Sequence, residues 1–531
     1  GVCRGCSGRG VAAAVVGAAL AGTACVLLAV AGTPAARVAE QRQGQESPLH
    51  AGDTQSATAD VDGGPALLWP RQATHNPASA ALLAWNGTDA CGSPPQSAGK
   101  VKWVEIIGGP PAPQPNFDWV ARICTPLYPG PNCSSPVNWK GVVTLCVDGV
   151  PMRGVKMHTR GHVSKLFPKQ QFSLTLPSAV GLLGMAPARK WVLATSFIDT
   201  SFQRNPLAFG LYRQMGGWAT ETRYVNLQWH GQHLGLFYIG ERIERGPGRL
   251  QVPESREHDA KKSGYLLTVD WQKAGTVCVE SRNTSTFFSF LYPKHLSDQQ
   301  KSFTQQLVNE VDTRAAAPGG EGHLEQVLDF ASFARFFVLE ELAKDVDGYA
   351  FSDFMMIKNG KLMHAAPWDF DLSFGYDCQS MYFKNFFTGE DTSRSVAGWN
   401  VENVRDGAIW IGPTGLPGGT VWRFGLNKRR LFLNIWQHRG FRRAFASAWR
   451  AARAGPLSDG ALRSSVQSRA ELVAAAAAQD MRIWRGTARC AFFPCCSPPA
   501  AQDFRLATRL LRETLLGRAR WIDAHVGTLL A

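Results

Sequence analysis

The chain has 531 residues, 45% of them hydrophobic and 18% charged, so it can bury a large core and is not disordered throughout. Lys and Arg outnumber Asp and Glu by 56 to 42, a formal net charge of +14, which favours anionic partners such as phosphates, acidic proteins or lipid headgroups and leaves the fold open. No basic run is interleaved with aromatic residues and no zinc-finger spacing occurs, so nucleic acid is not an expected partner.

An uncharged run from Val11 to Gly32 follows Arg4 and Arg9. At helical rise it reaches about 33 Å, the depth of a bilayer core, with its positive flank on the N-terminal side. Residues 1–36 therefore read as a cytoplasmic tip plus signal anchor, or as a signal peptide cleaved near Ala35-Ala36. Either one sends the remainder to the secretory lumen, the exterior or the cell surface, membrane-anchored in the first case. Acceptor triplets for N-glycosylation at Asn86, Asn132 and Asn283 agree with that route. So do the 12 cysteines, which favour disulfides over metal because the sole CxxC, Cys3 to Cys6, has no second pair near it. Residues 37–97, rich in Ala, Gly, Ser, Thr, Gln and Pro, read as a low-complexity stalk.

Residues 98–245 read as β-rich. Asp148-Gly149 separates two apolar strands, and the alternation Phe172/Leu174/Leu176 marks another. Trp191-Val-Leu is a short strand, and a helix begins after Asp199 and stops at Gly216-Gly217. A second hairpin turns at His230-Gly231 and ends at Glu241. The expectation is an antiparallel sheet with one inserted helix.

Residues 246–531 read as α-rich. A broad apolar face from Leu324 to Leu342 predicts a central buried helix, and further helical patterns run over 431–438, 441–452, 462–484 and 503–530. The fold class expected is α+β, a β-rich first lobe joined to an α-rich second.

Between the helical segments lies the stretch richest in chemistry, Lys344 to Gly375. Asn359-Gly360 between short apolar strands is a strong hairpin signal. A hairpin returns the chain to its origin, so Asp345, Asp347 and Asp353 before it should meet Asp369 and Asp371 after it. Crowded carboxylates repel unless a cation neutralises them, which points to a divalent metal with oxygen ligands. Helix, acidic loop, tight hairpin and a further acid is also the layout of the phosphotransfer centre in protein kinases. No HExxH, GxSxG or Walker-type motif competes with that reading.

With those residues in view, the sequence from about Gly141 to Trp484 resembles the CotH kinases, atypical secretory kinases of the spore-coat type. The resemblance is carried by Arg160-Gly161, Ser164 and Pro168-Lys169; by Trp191-Val-Leu, Asp199 and Arg204-Asn205; by Gly231 through Leu234-Gly235 to Glu241; and by Asp347-Gly348-Tyr349 with Pro367-Trp368-Asp369-Phe370-Asp371 and Phe374-Gly375. It implies a protein-kinase-like two-lobed fold, ATP with Mg²⁺ or Mn²⁺, and transfer of the γ-phosphoryl to Ser or Thr of secreted or surface proteins. By position it implies Asp347 as general base for the acceptor hydroxyl. Asp369 would be the metal acid, with Asp371 either assisting it or ordering the loop, and Asp353, or else Ser352, standing where an Asn is usual; Asp353 could itself ligate the metal. Arg160, Gly161, Ser164 and Lys169 would contact the nucleotide phosphates, and Glu241 would lie near the adenine.

The sequence departs from the family pattern at His162-Val163, at Gln170 and at Asp353. The expected helix 201–215 also carries no acid to pair Lys169. These departures motivate the rival reading, a pseudokinase acting as a surface binding or adhesion module.

Overall fold

The structure, a computed structural model, describes residues 91–92, 100–109, 112–113, 124–125, 128–129, 139–161, 163–195, 197–270, 275–317, 323–345, 347–376, 395–402, 428–485 and 503–530. The apolar run 11–32, nearly all of the stalk, and the sequons at Asn86 and Asn132 lie outside the described residues. Among the described residues no helix is long and apolar enough to cross a membrane.

Seven strands close a barrel: β1 (Lys102–Ile107), β4 (Lys140–Val147), β5 (Val150–Arg160), β6 (Gln171–Val180), β7 (Ala188–Ala194), β9 (Gln232–Glu241) and β8 (Thr222–Trp229), in that spatial order. A two-residue ribbon, β2 (Cys124–Thr125) with β3 (Tyr128–Pro129), stands apart from it. The turns follow from the sequence. Asp148 and Gly149 have φ of 50° and 78°, and His230 and Gly231 have 49° and 74°, the left-handed pair that a two-residue hairpin demands. Alternate side chains such as Val155, Met157, Phe172, Leu174 and Trp191 fill the interior.

The antiparallel sheet expected here closes into a barrel. Its closure comes from β1, which pairs antiparallel with β4 and parallel with β8, an association across more than a hundred residues that no local pattern announces. The expected helix is α1 (Arg204–Gln214), inserted between β7 and β8. Among the described residues one disulfide, Cys91–Cys146, fastens residue 91 to β4.

The second half holds more strand than expected. A five-stranded antiparallel sheet runs β11 (Cys278–Glu280), β12 (Phe287–Tyr292), β10 (Tyr265–Val269), β13 (Asp353–Lys358), β14 (Lys361–Ala366). The hairpin at Asn359-Gly360 forms as read, with φ of 52° and 74°. Every residue of β10 is buried, so its sequence is a plain apolar run without the alternation that marks a half-exposed strand.

Around this sheet pack α2 (Asp298–Ala315), α3 (Phe330–Ala343), α4 (Lys428–Gln437), α5 (Arg439–Arg453), α6 (Asp459–Ile483) and α7 (Phe504–His525). The start of α2 is fixed by a capping box between Ser297 and Gln300. The apolar face of α3 buries Phe336 and Phe337 against Tyr349, Phe432 and Trp436.

Candidate functional site

The site forms where the two loops flanking the β13–β14 hairpin come together beside the end of β5. Backbone geometry joins the loops: Phe374 N–H donates to Ala343 C=O at 2.6 Å, so the chain after β14 returns to the last residue of α3. Both loops are conformationally demanding. Lys344, Tyr349, Ser352, Asp369 and Phe374 all have φ between 45° and 68°, a region costing a non-glycine residue about 1–2 kcal/mol. Such residues persist only where their surroundings hold them.

Two networks do so. The first starts at Asp199, whose carboxylate accepts from the backbone N–H of Ser201, Gln203 and Arg204 at 3.0, 3.0 and 2.9 Å and pairs with the Arg204 guanidinium. That fixes the head of α1. From there Arg204 Nε donates to Ser373 C=O at 2.8 Å, and Asn205 grips the acidic loop twice. Its Oδ1 accepts from Phe370 N–H at 2.7 Å, and its Nδ2 donates to Asp371 Oδ1 at 2.8 Å.

The second network is centred on Glu341. Its carboxylate receives Arg518 Nη2 at 3.0 Å, Tyr349 O–H at 2.8 Å, and the N–H groups of Asn400 and Val401 at 2.6 and 2.9 Å. Burial pushes the Glu341 carboxyl above its ordinary value against the pull of Arg518, and it lowers Arg518 to about 10. Tyr349 thus pins the Asp347-Gly348-Tyr349 loop to the core. A Cβ on Gly348 would come within 2.2 Å of Glu340 Oε2, so a larger residue there would have to displace that carboxylate. Asp347, half-buried, caps the following turn, its C=O accepting from Ala350 and Phe351 at 3.2 Å.

Asp369 is exposed, yet its carboxyl is raised to about 6, first by burial among protein groups, then by Asp270, with Arg160 opposing. Arg160 stands over the Trp368 ring at 4.9 Å and feels Asp369 and Asp371. The buried phenol of Tyr238, on β9, is pushed well up by burial and by the same two acids. The end of β5 and the loop after β14 therefore face each other, cation to carboxylate.

Gly161 and Ser164 also come together. A Cβ on Gly161, whose φ is 102°, would meet Ser164 Oγ at 1.8 Å. Asp353 is buried at the start of β13, in register with Val269. Asp270 is thereby the next residue on the partner strand. The sequence does not point to this acid, because β10 lacks the alternation that announces a strand.

Two proposed nucleotide contacts lie in sealed surroundings. Lys169 Nζ is fully buried, donates to Leu236 C=O at 2.7 Å and pairs with Asp480 of α6. The acid missing from 201–215 is supplied by a helix 311 residues further along. Glu241 is buried in a pair with Arg249, which stacks over Trp191 at 4.8 Å, and it accepts from Glu221 N–H at 3.0 Å.

Among the described residues no three acid, His or Cys side chains stand close enough to hold a metal ion by themselves. Mg²⁺ is ordinarily held by one or two carboxylates, with phosphate and water oxygens completing its shell. Asp369 and Asp371, with Asp270 nearby, are a donor set of that kind.

The cationic end of β5 thus faces a strained, carboxylate-bearing loop. The family model for the CotH kinase protein matches residues 157–522, a span that covers the barrel strands from β5 onward and both loops. The chain belongs to the CotH kinase family. A comparison with curated proteins finds no match.

Proposed function

We propose that the chain is a two-lobed, kinase-like phosphotransferase of the secretory pathway or cell surface, which uses ATP and Mg²⁺ or Mn²⁺ to phosphorylate Ser or Thr of secreted proteins. The observation that carries the reading is the approach of Arg160, over the Trp368 ring at 4.9 Å, to Asp369 and Asp371, cation for phosphate and carboxylate for metal. The disulfide Cys91–Cys146 supports an oxidising compartment, and Asn283 lies exposed in the turn between β11 and β12, where a glycan has room.

In this reading Arg160 and the tight Gly161–Ser164 loop bind phosphate oxygens. Asp369 and Asp371 would hold the metal, which when bound supplies charge neutralisation. The Asp347 carboxylate takes the proton of the acceptor hydroxyl as its oxygen bonds to the γ-phosphorus. The bond from that phosphorus to the bridging oxygen breaks and ADP leaves. Asn205 keeps Asp371 in place throughout.

The test is incubation of the full chain with radiolabelled ATP and Mn²⁺, with a thermal-shift titration in parallel. Labelling is expected in the wild type and absent in Asp347→Ala and Asp369→Ala, with melting in the absence of ligand retained. Equal labelling in both variants ends the assignment of roles. The sealed position of Lys169 favours a second reading, a pseudokinase binding module, and absence of any shift with ATP and metal selects it.

A further inference from the structure

We propose that the outward face of strands β4 to β7 is a docking surface for an acidic polypeptide, the acceptor of the phosphotransfer reading on which this inference rests. Residues 149–198 contain seven Lys and Arg and no Asp or Glu. The excess of +14 is therefore concentrated in part on three consecutive strands and their connections. One of the seven, Lys169, is turned inward to Asp480.

The register shows where others go. Val155, Met157 and Thr159 point into the barrel, so Lys156, His158 and Arg160 point out. Lys140 of β4 pairs with His158, Lys156 pairs with Thr175, and Thr175 pairs with Lys190. Lys140, Lys156, His158 and Lys190 are all exposed. The acid seen against this face is Glu244, at 3.0 Å from Lys190. Positive charge is crowded enough that burial together with Arg242, Lys165 and Arg160 lowers His158. The face ends at Arg160, beside Asp369, so a chain lying along it is led to the acidic loop.

The chemistry of the occupant follows from what the face offers. The same-side cations of β5, Lys156 and Arg160, stand four residues apart, about 13.6 Å, a distance that alternate same-side carboxylates of an extended acidic segment match. Its exposed large hydrophobic side chains, Val142, Val150 and Val180, are all valines. Among the described residues it shows no exposed aromatic platform for stacking bases and no bulky wedge for a lipid interface.

The experiment is fluorescence anisotropy on the full chain with short labelled peptides, a Ser flanked by Asp and Glu, and the same length flanked by Lys and Arg. The acidic peptide is expected to bind, the basic one not, and added salt to weaken the complex. The double variant Lys140→Glu/Lys156→Glu should weaken it by at least about ten-fold, and Lys156→Gln should shift affinity in the same direction, with the melting temperature of each unchanged. Unaltered affinity in a folded double variant overturns the proposal. So does tighter binding of a single-stranded oligonucleotide or of phosphatidylserine vesicles that the same variant abolishes. Acidic-peptide binding without any ATP-induced thermal shift keeps the docking face and removes the phosphotransfer reading instead.

Discussion

The barrel and the segment 344–375 are built on opposite terms. In the barrel, left-handed backbone at the Asp148-Gly149 and His230-Gly231 turns falls on residue pairs suited to it. In the segment it falls on Lys344, Tyr349, Ser352, Asp369 and Phe374, side chains that resist it. A ladder of strands sustains itself through its own hydrogen bonds. The segment depends on remote supports, Glu341 with Arg518 on one side and Asn205 on the other. Conformational strain thus collects where the carboxylates are, and its restraint comes from helices α1, α3 and α7.

That contrast is open to breakage. Arg518→Ala removes the charge partner of a buried carboxylate and should cost about 3–5 kcal/mol, read as the loss of denaturant midpoint. A loss no larger than that of an exposed arginine such as Arg520→Ala would mean the segment holds itself. Asn205→Ala should cost less, about 1–3 kcal/mol, since it leaves Phe370 N–H without its acceptor. Its more telling effect should be weaker Mn²⁺-dependent ATP binding at unchanged barrel stability.

The smallest effect expected is on pH dependence. A carboxyl whose folded value is raised to about 6 takes up a proton more readily folded than unfolded. The folded state therefore loses stability as pH rises from about 4 through 6. Asp369→Asn removes that loss. Because the group is exposed and screened, the variant should melt only roughly 1–2 °C higher near pH 7.5, with the gap closing near pH 4. A gap that persists at low pH would assign the difference to packing.

Hairpins and helices were legible in the sequence because their signals are local: Asn359-Gly360, Asp199 ahead of α1, and the 3.6-residue apolar rhythm of α3. The loops flanking the Asn359-Gly360 turn do touch, through Phe374 N–H and Ala343 C=O, but among the described residues the expected gathering of five carboxylates is not seen. Illegible were the associations across long sequence distances. The parallel pairing of β1 with β8, the entry of β10 into the second sheet, and the approach of Asp480 to Lys169 leave no mark on neighbouring residues. Asp270 was missed for that reason. The capping box at Ser297 and Gln300 was a local signal that went unused.

The pairing of Lys169 with Asp480 also bears on how the protein can be made. The ammonium of Lys169, just ahead of β6, takes its carboxylate from a helix that emerges from the ribosome some 240 residues after β9. A truncated chain ending before α6 would lack both Asp480 and the Trp484 ring that lies 5.9 Å from that ammonium, so the barrel is not a portable module. Expression of the first half alone should yield a protein reliant on chaperones, and the two halves form a single unit of biosynthesis.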